Sequence, residues 1–319
     1  MDPDAAIVLE HLSAGILAAE DWADGYHKAP DSHAKMIKLG ARFQRQVLEH
    51  LKNVADEIPK TIDWFNYQRA VFDQRQAMLA AVTDPEVDPA HIEAYDVNVI
   101  INHDAVNQQD QAFIKVVFDT VASIIETGVE SGQEEYGRPL PFSLTNTSEI
   151  IQNLTTEQLA NLVGMKVDKV TGMIVPNPNP AYSIDETTRT KIANSIKTSI
   201  RLGENQKQAT KRLTDIIADP ARADLIAYTE TVRAYAEGRH AYGKASGATG
   251  KYWSDNLATD ICADNTGQGT IPIDEDFLSG DPYEPAHPHC KCITVLVYDS
   301  IDSAGDLPAD EVDIEGEPA

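Results

Sequence analysis

Apolar residues recur every three or four positions along most of the first 130 residues, the spacing that lays side chains on one face of an α-helix. The clearest run is Met36, Leu39, Phe43, Val47, Leu51, Val54 and Ile58, capped by Asp31 or Ser32 and stopped by Pro59. At 1.5 Å per residue it predicts a helix of roughly 35–40 Å carrying one continuous apolar stripe. Such a stripe needs a partner helix or another subunit to cover it. A shorter amphipathic helix is expected over residues 5–24 from Ile7, Val8, Leu12, Ile16 and Leu17. Another is expected over 63–82 from Trp64, Phe65, Ala70, Val71, Met78, Leu79 and Val82, ended by Asp84-Pro85 and Asp88-Pro89. Phe113, Val117, Val121, Ile124 and Ile125 give a further helix over 104–132, in which Gly128 is a weak point.

The pattern then shortens. Pro139 and Pro141, in a passage rich in Gly, Pro, Ser and Thr, mark a boundary at 137–148. Beyond it, capping boxes are read at Thr155 with Gln158, Ser183 with Glu186 and Asn205 with Gln208. Gly164, Gly203 and Asp219-Pro220 close the corresponding helices, and Arg222 to Lys244 forms a longer one. A small hairpin fits Val170 to Val175, and the β-branched run from Cys292 to Tyr298 reads as a strand. The fold class is therefore mainly α with a small α+β carboxy-terminal domain, where short helices give way to loops and short strands around a Cys/His cluster. The expected organisation is a helical region over 1–136, a linker over 137–148, a compact domain over 149–298 and a disordered tail over 299–319. That tail holds eight acidic residues and no basic one.

Length and 42% hydrophobic content suffice for a real core in more than one domain. The formal net charge of -25 argues against a surface that coats nucleic acid, so any DNA contact is local. The amino terminus lacks the basic residues and apolar run of a signal peptide, and no uncharged stretch approaches the ~20 residues that cross a bilayer. A soluble protein made in the cytosol is expected, and a reducing compartment disfavours disulfides.

All three cysteines lie near two histidines. In His287-Pro288-His289-Cys290-Lys291-Cys292, His287 and Cys290 can converge when the loop folds back, and Cys262 and Cys292 complete an N/S set suited to zinc. The alternative is that these cysteines are small buried hydrophobes. A nucleobase deaminase would need His-x-Glu followed by Pro-Cys-x-x-Cys. His91-Ile92-Glu93 is far from the cysteines, and the spacing at 288–292 is wrong. Phosphate loops, nucleophile elbows and His-Glu-x-x-His pairs are absent from the sequence.

The order Ile226-Ala227-Tyr228-Thr229-Glu230-Thr231-x-Arg233-Ala234, Gly238, Trp253, Asp260-x-Cys262, Phe277 and Pro285-x-His287-Pro288-x-Cys290-Lys291-Cys292 resembles the phage head morphogenesis domain of the Mu F-like minor head proteins. The resemblance covers about residues 185–297. It makes Thr229, Glu230, Arg233, Gly238 and Trp253 structural motif residues. It implies a non-enzymatic minor head protein of a tailed phage or prophage, in the capsid interior or at the portal vertex, and in the host cytoplasm during assembly. The implied partners are the portal protein, the major capsid or scaffolding protein, and packaged DNA, with no membrane in the assembled state. Two departures stand out: the family commonly has Arg before the Thr-Glu pair and a second Cys three residues after the first, where this chain has Tyr228 and Asn265. The missing Cys weakens the zinc set, and the Cys/His cluster reads better as a structural clasp.

Two other functions are kept as alternatives. A toxin-like or other enzyme module would place Glu230, Arg233 and the Cys/His cluster around a cleft. A local DNA-binding module would use the basic run holding Arg189, Lys191, Lys197, Arg201, Lys207, Lys211 and Arg212, which faces a single acid, Glu204. Such a run also serves as the wet face of two helices.

Overall fold

A computed structural model of the chain describes residues 29–83, 96–101, 104–140, 144–178, 183–254 and 260–298. The helix expected over 5–24, His91-Ile92-Glu93 and the acidic tail lie outside the described residues. The fold is mostly helical, as expected, with short strands in two small sheets. In chain order the elements are α1 (Pro30–Thr61), α2 (Trp64–Thr83), α3 (Asp104–Tyr136), α4 (Leu144–Leu162), β1 (Met165–Val167), β2 (Ile174–Pro176), α5 (Ile184–Leu202), α6 (Gln206–Ile217), α7 (Pro220–Ser246), β3 (Gly250–Ser254), α8 (Asp260–Gly267), β4 (Ile271–Pro272) and β5 (Ile293–Val297).

The long stripe of α1 is covered from within the chain. Met36, Phe43, Val47 and Leu51 are buried against Phe113, Val117, Val121, Ile124 and Ile125 of α3 and Ala227, Val232, Ala234 and Tyr235 of α7. The stripe therefore needs no other subunit, which corrects one of the two options left by the sequence. The carboxy-terminal part of α1, through Val54 and Ile58, packs instead with Tyr67 and Val71 of α2, Ile192, Ile196 and Ile200 of α5, and Leu213 and Ile217 of α6. The core thus crosses the passage at 137–148, in which residues 137–140 lack regular structure and α4 already begins at Leu144.

Several boundaries moved for identifiable reasons. α1 starts at Pro30, whose fixed φ suits the first helical position, so neither Asp31 nor Ser32 is the cap. The Ser32 hydroxyl donates instead to Glu134 of α3 at 2.8 Å. Pro59 lies inside α1, in its last turn, and its carbonyl accepts the Trp64 indole N–H at 2.9 Å. Thr155 is no cap: α4 runs through it, its hydroxyl donates to Ile151 O at 2.6 Å, and Gln158 reaches Glu230 O at 2.9 Å. The boxes at Ser183 and Asn205 cap α5 and α6 as read, the second reciprocally with Gln208, and Gly203 ends α5 in the left-handed region. The hairpin is set outward from its expected place, with β1 and β2 flanking a turn in which Asp168 accepts the Val170 and Thr171 N–H groups.

α3 and α7 meet at two glycines. A Cβ on Gly238 would stand 2.0 Å from Ile125 O, and one on Gly128 would stand 2.1 Å from Tyr235 O. Gly128 is therefore the point of closest helix approach, where backbone meets backbone, rather than a flaw in α3. Beyond this crossing the three-stranded antiparallel sheet, in the order β4-β3-β5, is bolted to the helices. Arg239 of α7 pairs with Glu135 of α3 and donates to Thr294 O of β5 at 3.3 Å. Tyr136 accepts the Leu296 N–H at 3.0 Å, and Tyr242 donates to Arg138 O at 2.8 Å.

Candidate functional site

α7 is launched by Asp219, whose carboxylate accepts the Ala221 N–H at 3.0 Å ahead of Pro220 in the first turn. Thr229, Glu230, Arg233 and Glu237 then recur at helical spacing toward the segment 279–288. Between them lies a cleft of about 420 Å³ lined by Thr229, Glu230, Arg233, Asp281 and His287, with Asn161 and Asn177 from α4 and the residue after β2. Arg233 Nε stands 3.5 Å from Glu230 Oε2, and the Glu230 carboxylate raises the Arg233 pKa. Burial raises the Asp281 carboxyl above its usual range. The Thr229 hydroxyl donates to Leu225 O at 2.8 Å and accepts the His289 N–H at 3.4 Å. Thus Thr229 joins helix to loop, while the Glu230 side chain pairs with Arg233 on the same helix.

The loop carrying the cysteines folds back through a tight turn. The Cys290 N–H donates to His287 O at 3.1 Å, and His289 takes φ 58°, a left-handed conformation uncommon for a side-chain-bearing residue. Tyr228 holds that turn in two ways. Its ring stacks on His289 with centroids 4.4 Å apart, and its hydroxyl donates to Cys290 O at 3.3 Å. The tyrosine that departs from the family pattern thus seats the loop.

Beneath the cleft, Cys262 of α8 and Cys290 and Cys292 ahead of β5 converge. Their sulfurs lie within 4.8 Å of one another, and those of Cys262 and Cys290 are 3.8 Å apart. None of the three is in a disulfide. All are buried with Trp253, Ile271 and Phe277, and Trp253 packs edge-on to Phe277 at 5.0 Å. These cysteines lie close enough together to bind a metal ion. His287 is half-buried at the cleft, its Nδ1 2.8 Å from Pro288 O, and is not one of the converging group. Asn265, where the family commonly has cysteine, is fully buried and locked to Ser279, accepting from its N–H and donating to its hydroxyl, both at 3.0 Å. The donor set therefore supplies three of the four ligands of a closed zinc site.

The cysteines are absent from the cleft lining, so the arrangement required by the enzyme alternative is divided. Glu230 and Arg233 face the cleft while the thiols face the packed interior. In the basic run, Arg189 pairs with Asp185 at 2.7 Å, Lys211 with Asp215 at 2.7 Å and Arg212 with Glu204 at 3.0 Å, so these three of its seven cations meet a carboxylate locally. Lys207 and Arg201 are exposed, and Lys197 is half-buried.

Several residues of this region had no clear signal in the sequence. Glu237 is one: its carboxyl, accepting from the Tyr283 hydroxyl, is pushed up to about 8 by burial. Burial likewise lowers His240 to about 3 and Lys251 to about 8. Only the position of Glu237 seven residues after Glu230 on α7 hinted that it shares the loop-facing side. In the unfolded chain its carboxyl ionises in the ordinary range, so between there and about pH 8 the folded state alone keeps the proton. Its contribution is fully present at acid pH and is lost as pH rises through that window. Glu237→Gln cannot ionise, and relative to the parent protein it is expected to gain on the order of a few kcal/mol between about pH 5 and pH 8. Urea unfolding across that range checks this, and a pH-independent difference would refute it.

The family model described as Phage Mu protein F like protein matches residues 190–295, 106 of the 319. Over that stretch the resemblance drawn from the motif order stands, and it points to phage head morphogenesis. The match spans α5 from Thr190, the α7 motif, the cleft loop and the cysteines, and leaves α1 to α4 outside. No curated protein and no solved structure matches the chain. Among the described residues, no helix is long and apolar enough to cross a membrane.

Proposed function

We propose that this protein is a minor head protein of a tailed phage or prophage, held in the capsid interior or at the portal vertex and acting in head assembly and genome packaging or delivery without catalysing a reaction. The family match over 190–295 carries this reading. It is supported by the packed cysteine cluster, which acts as a structural clasp, and by the local ion pairs of Arg189, Lys211 and Arg212.

The docking surface we assign is α2. With the α1 stripe consumed internally, α2 carries a group of large apolar side chains left outward, Phe65, Phe72, Leu79 and Val82, which are 76%, 60%, 63% and 84% exposed. Phe65, Phe72 and Leu79 recur every seven residues and so share one face. Tyr67, Ala70, Val71 and Gln74 bury the opposite face. An apolar helix face of this kind suits a groove or helix on the portal protein, with the major capsid or scaffolding protein and packaged DNA as neighbours. Because these side chains support nothing inside the fold, Phe72→Glu with Leu79→Glu is expected to leave thermal stability nearly unchanged. The pair should weaken co-sedimentation with the portal protein at least about tenfold, on the scale of losing two interface anchors. Unchanged co-sedimentation would remove α2 from the interface; absence of any binding by the parent protein would remove portal docking itself.

A further inference from the structure

We infer that Cys262, Cys290 and Cys292 form a three-coordinate thiolate site for one soft ion of the Cu(I) class, and not a four-coordinate zinc site. The inference rests on reading the cluster as a clasp and is independent of where the protein docks.

Sulfurs held about 2.3 Å from a common ion in a trigonal plane stand about 4 Å apart. The 3.8 Å between Cys262 and Cys290 is close to that spacing, and Cys292 needs only a small closure from within 4.8 Å. Such a closure is cheap because Cys290 and Cys292 sit ahead of β5 in a stretch without regular structure, not inside a helix. Among the described residues, no histidine or carboxylate joins the three sulfurs. Asn265 has both ends of its amide committed to Ser279, and the His287 ring is turned to its own neighbour's carbonyl at the cleft. Solvent is a poor substitute, since the thiols lie in an apolar pocket closed by Trp253, Ile271 and Phe277.

With the donors of the described residues, zinc is therefore left one ligand short of its closed tetrahedral shell. A soft monovalent ion is not, because thiolate sulfur selects Cu(I) and three sulfurs satisfy it. Uptake forms three sulfur–ion bonds, breaks three S–H bonds and releases three protons to solvent, with no change in oxidation state and no other reactant. An ion held there ties α8 directly to the segment before β5, in addition to the apolar contacts of the small cluster.

The test uses the full-length protein reduced with a phosphine, titrated separately with Cu(I) as its acetonitrile complex and with Zn(II). Metal retained after gel filtration is counted, and the copper shell is read by X-ray absorption. One Cu(I) per chain is expected, in a shell of three sulfurs and no nitrogen, unchanged in His287→Ala. Zn(II) is expected to bind at least about tenfold more weakly, as befits an incomplete ligand set. Cys290→Ser and Cys292→Ser should each lose copper with circular dichroism unchanged. Asn265→Cys restores a fourth sulfur and should raise zinc retention, a gain that misfolding cannot mimic. A nitrogen in the shell that disappears in His287→Ala would overturn the inference. So would zinc bound more tightly than copper by the parent protein, or neither ion retained.

Discussion

Gly238→Ala is expected to destabilise the protein by about 3 kcal/mol or more, the upper end for overpacking, because the obstacle is backbone rather than a side chain that can turn away. The added Cβ would lie 2.0 Å from Ile125 O and 3.0 Å from Gly128 Cα, so α3 and α7 must separate to admit it. Those helices carry the central core between them, with Val121, Ile124 and Ile125 on one side and Val232, Ala234 and Tyr235 on the other. Separation would therefore loosen contacts well beyond the crossing. Urea denaturation provides the measurement, with Gly267→Ala as the comparison, since nothing lies within 4 Å of a Cβ at that position. Equal stability of the two variants would show that the close approach of α3 and α7 is not required.

Arg239→Met should cost a similar amount by a different route. Arg239 and Glu135 side chains are 3% and 10% exposed, and removing the guanidinium strands a carboxylate in the interior. Loss of one partner of a buried pair costs about 3–5 kcal/mol, most of it the penalty of the charge left behind. Replacing both partners, with Arg239→Met and Glu135→Leu, is then expected to recover most of the loss. The lost donation to Thr294 O sets what remains, because it also joins α7 to β5. A double variant no more stable than Arg239→Met would mean that the stranded charge is not the cause.

The helical amino-terminal half was readable because its apolar positions follow one period over many turns, as in the run from Met36 to Ile58. The same periodicity could not say what covers a stripe. Covering Met36 and Phe43 with α3 and α7 depends on Gly128 and Gly238, and in sequence an isolated helix glycine looks like weakness until its facing partner is known. Local capping rules worked at Ser183 and Asn205, whose side chains accept the Glu186 and Gln208 N–H groups. They failed at Thr155, because a hydroxyl that can cap a helix can also bond back to Ile151 O inside one. Within the site, the Thr-Glu-x-x-Arg run and the cysteines were legible by type and spacing. The place of His287 was not, since the turn at His289 aims the two ends of the His-Pro-x-Cys segment at different surroundings. Nor could spacing reveal Tyr228, whose role depends on stacking against a residue sixty-one positions later, or the Asn265 clasp on Ser279.

These features describe a helical unit whose family-matching stretch is closed by internal ties and whose α2 carries an outward apolar face. Localisation in purified heads tests that account most directly. Heads assembled with the parent protein should contain it, and their reconstruction should show its helical density at the portal vertex with α2 against the portal ring. Heads that lack the protein, or that carry it spread over the capsid shell, would contradict the account.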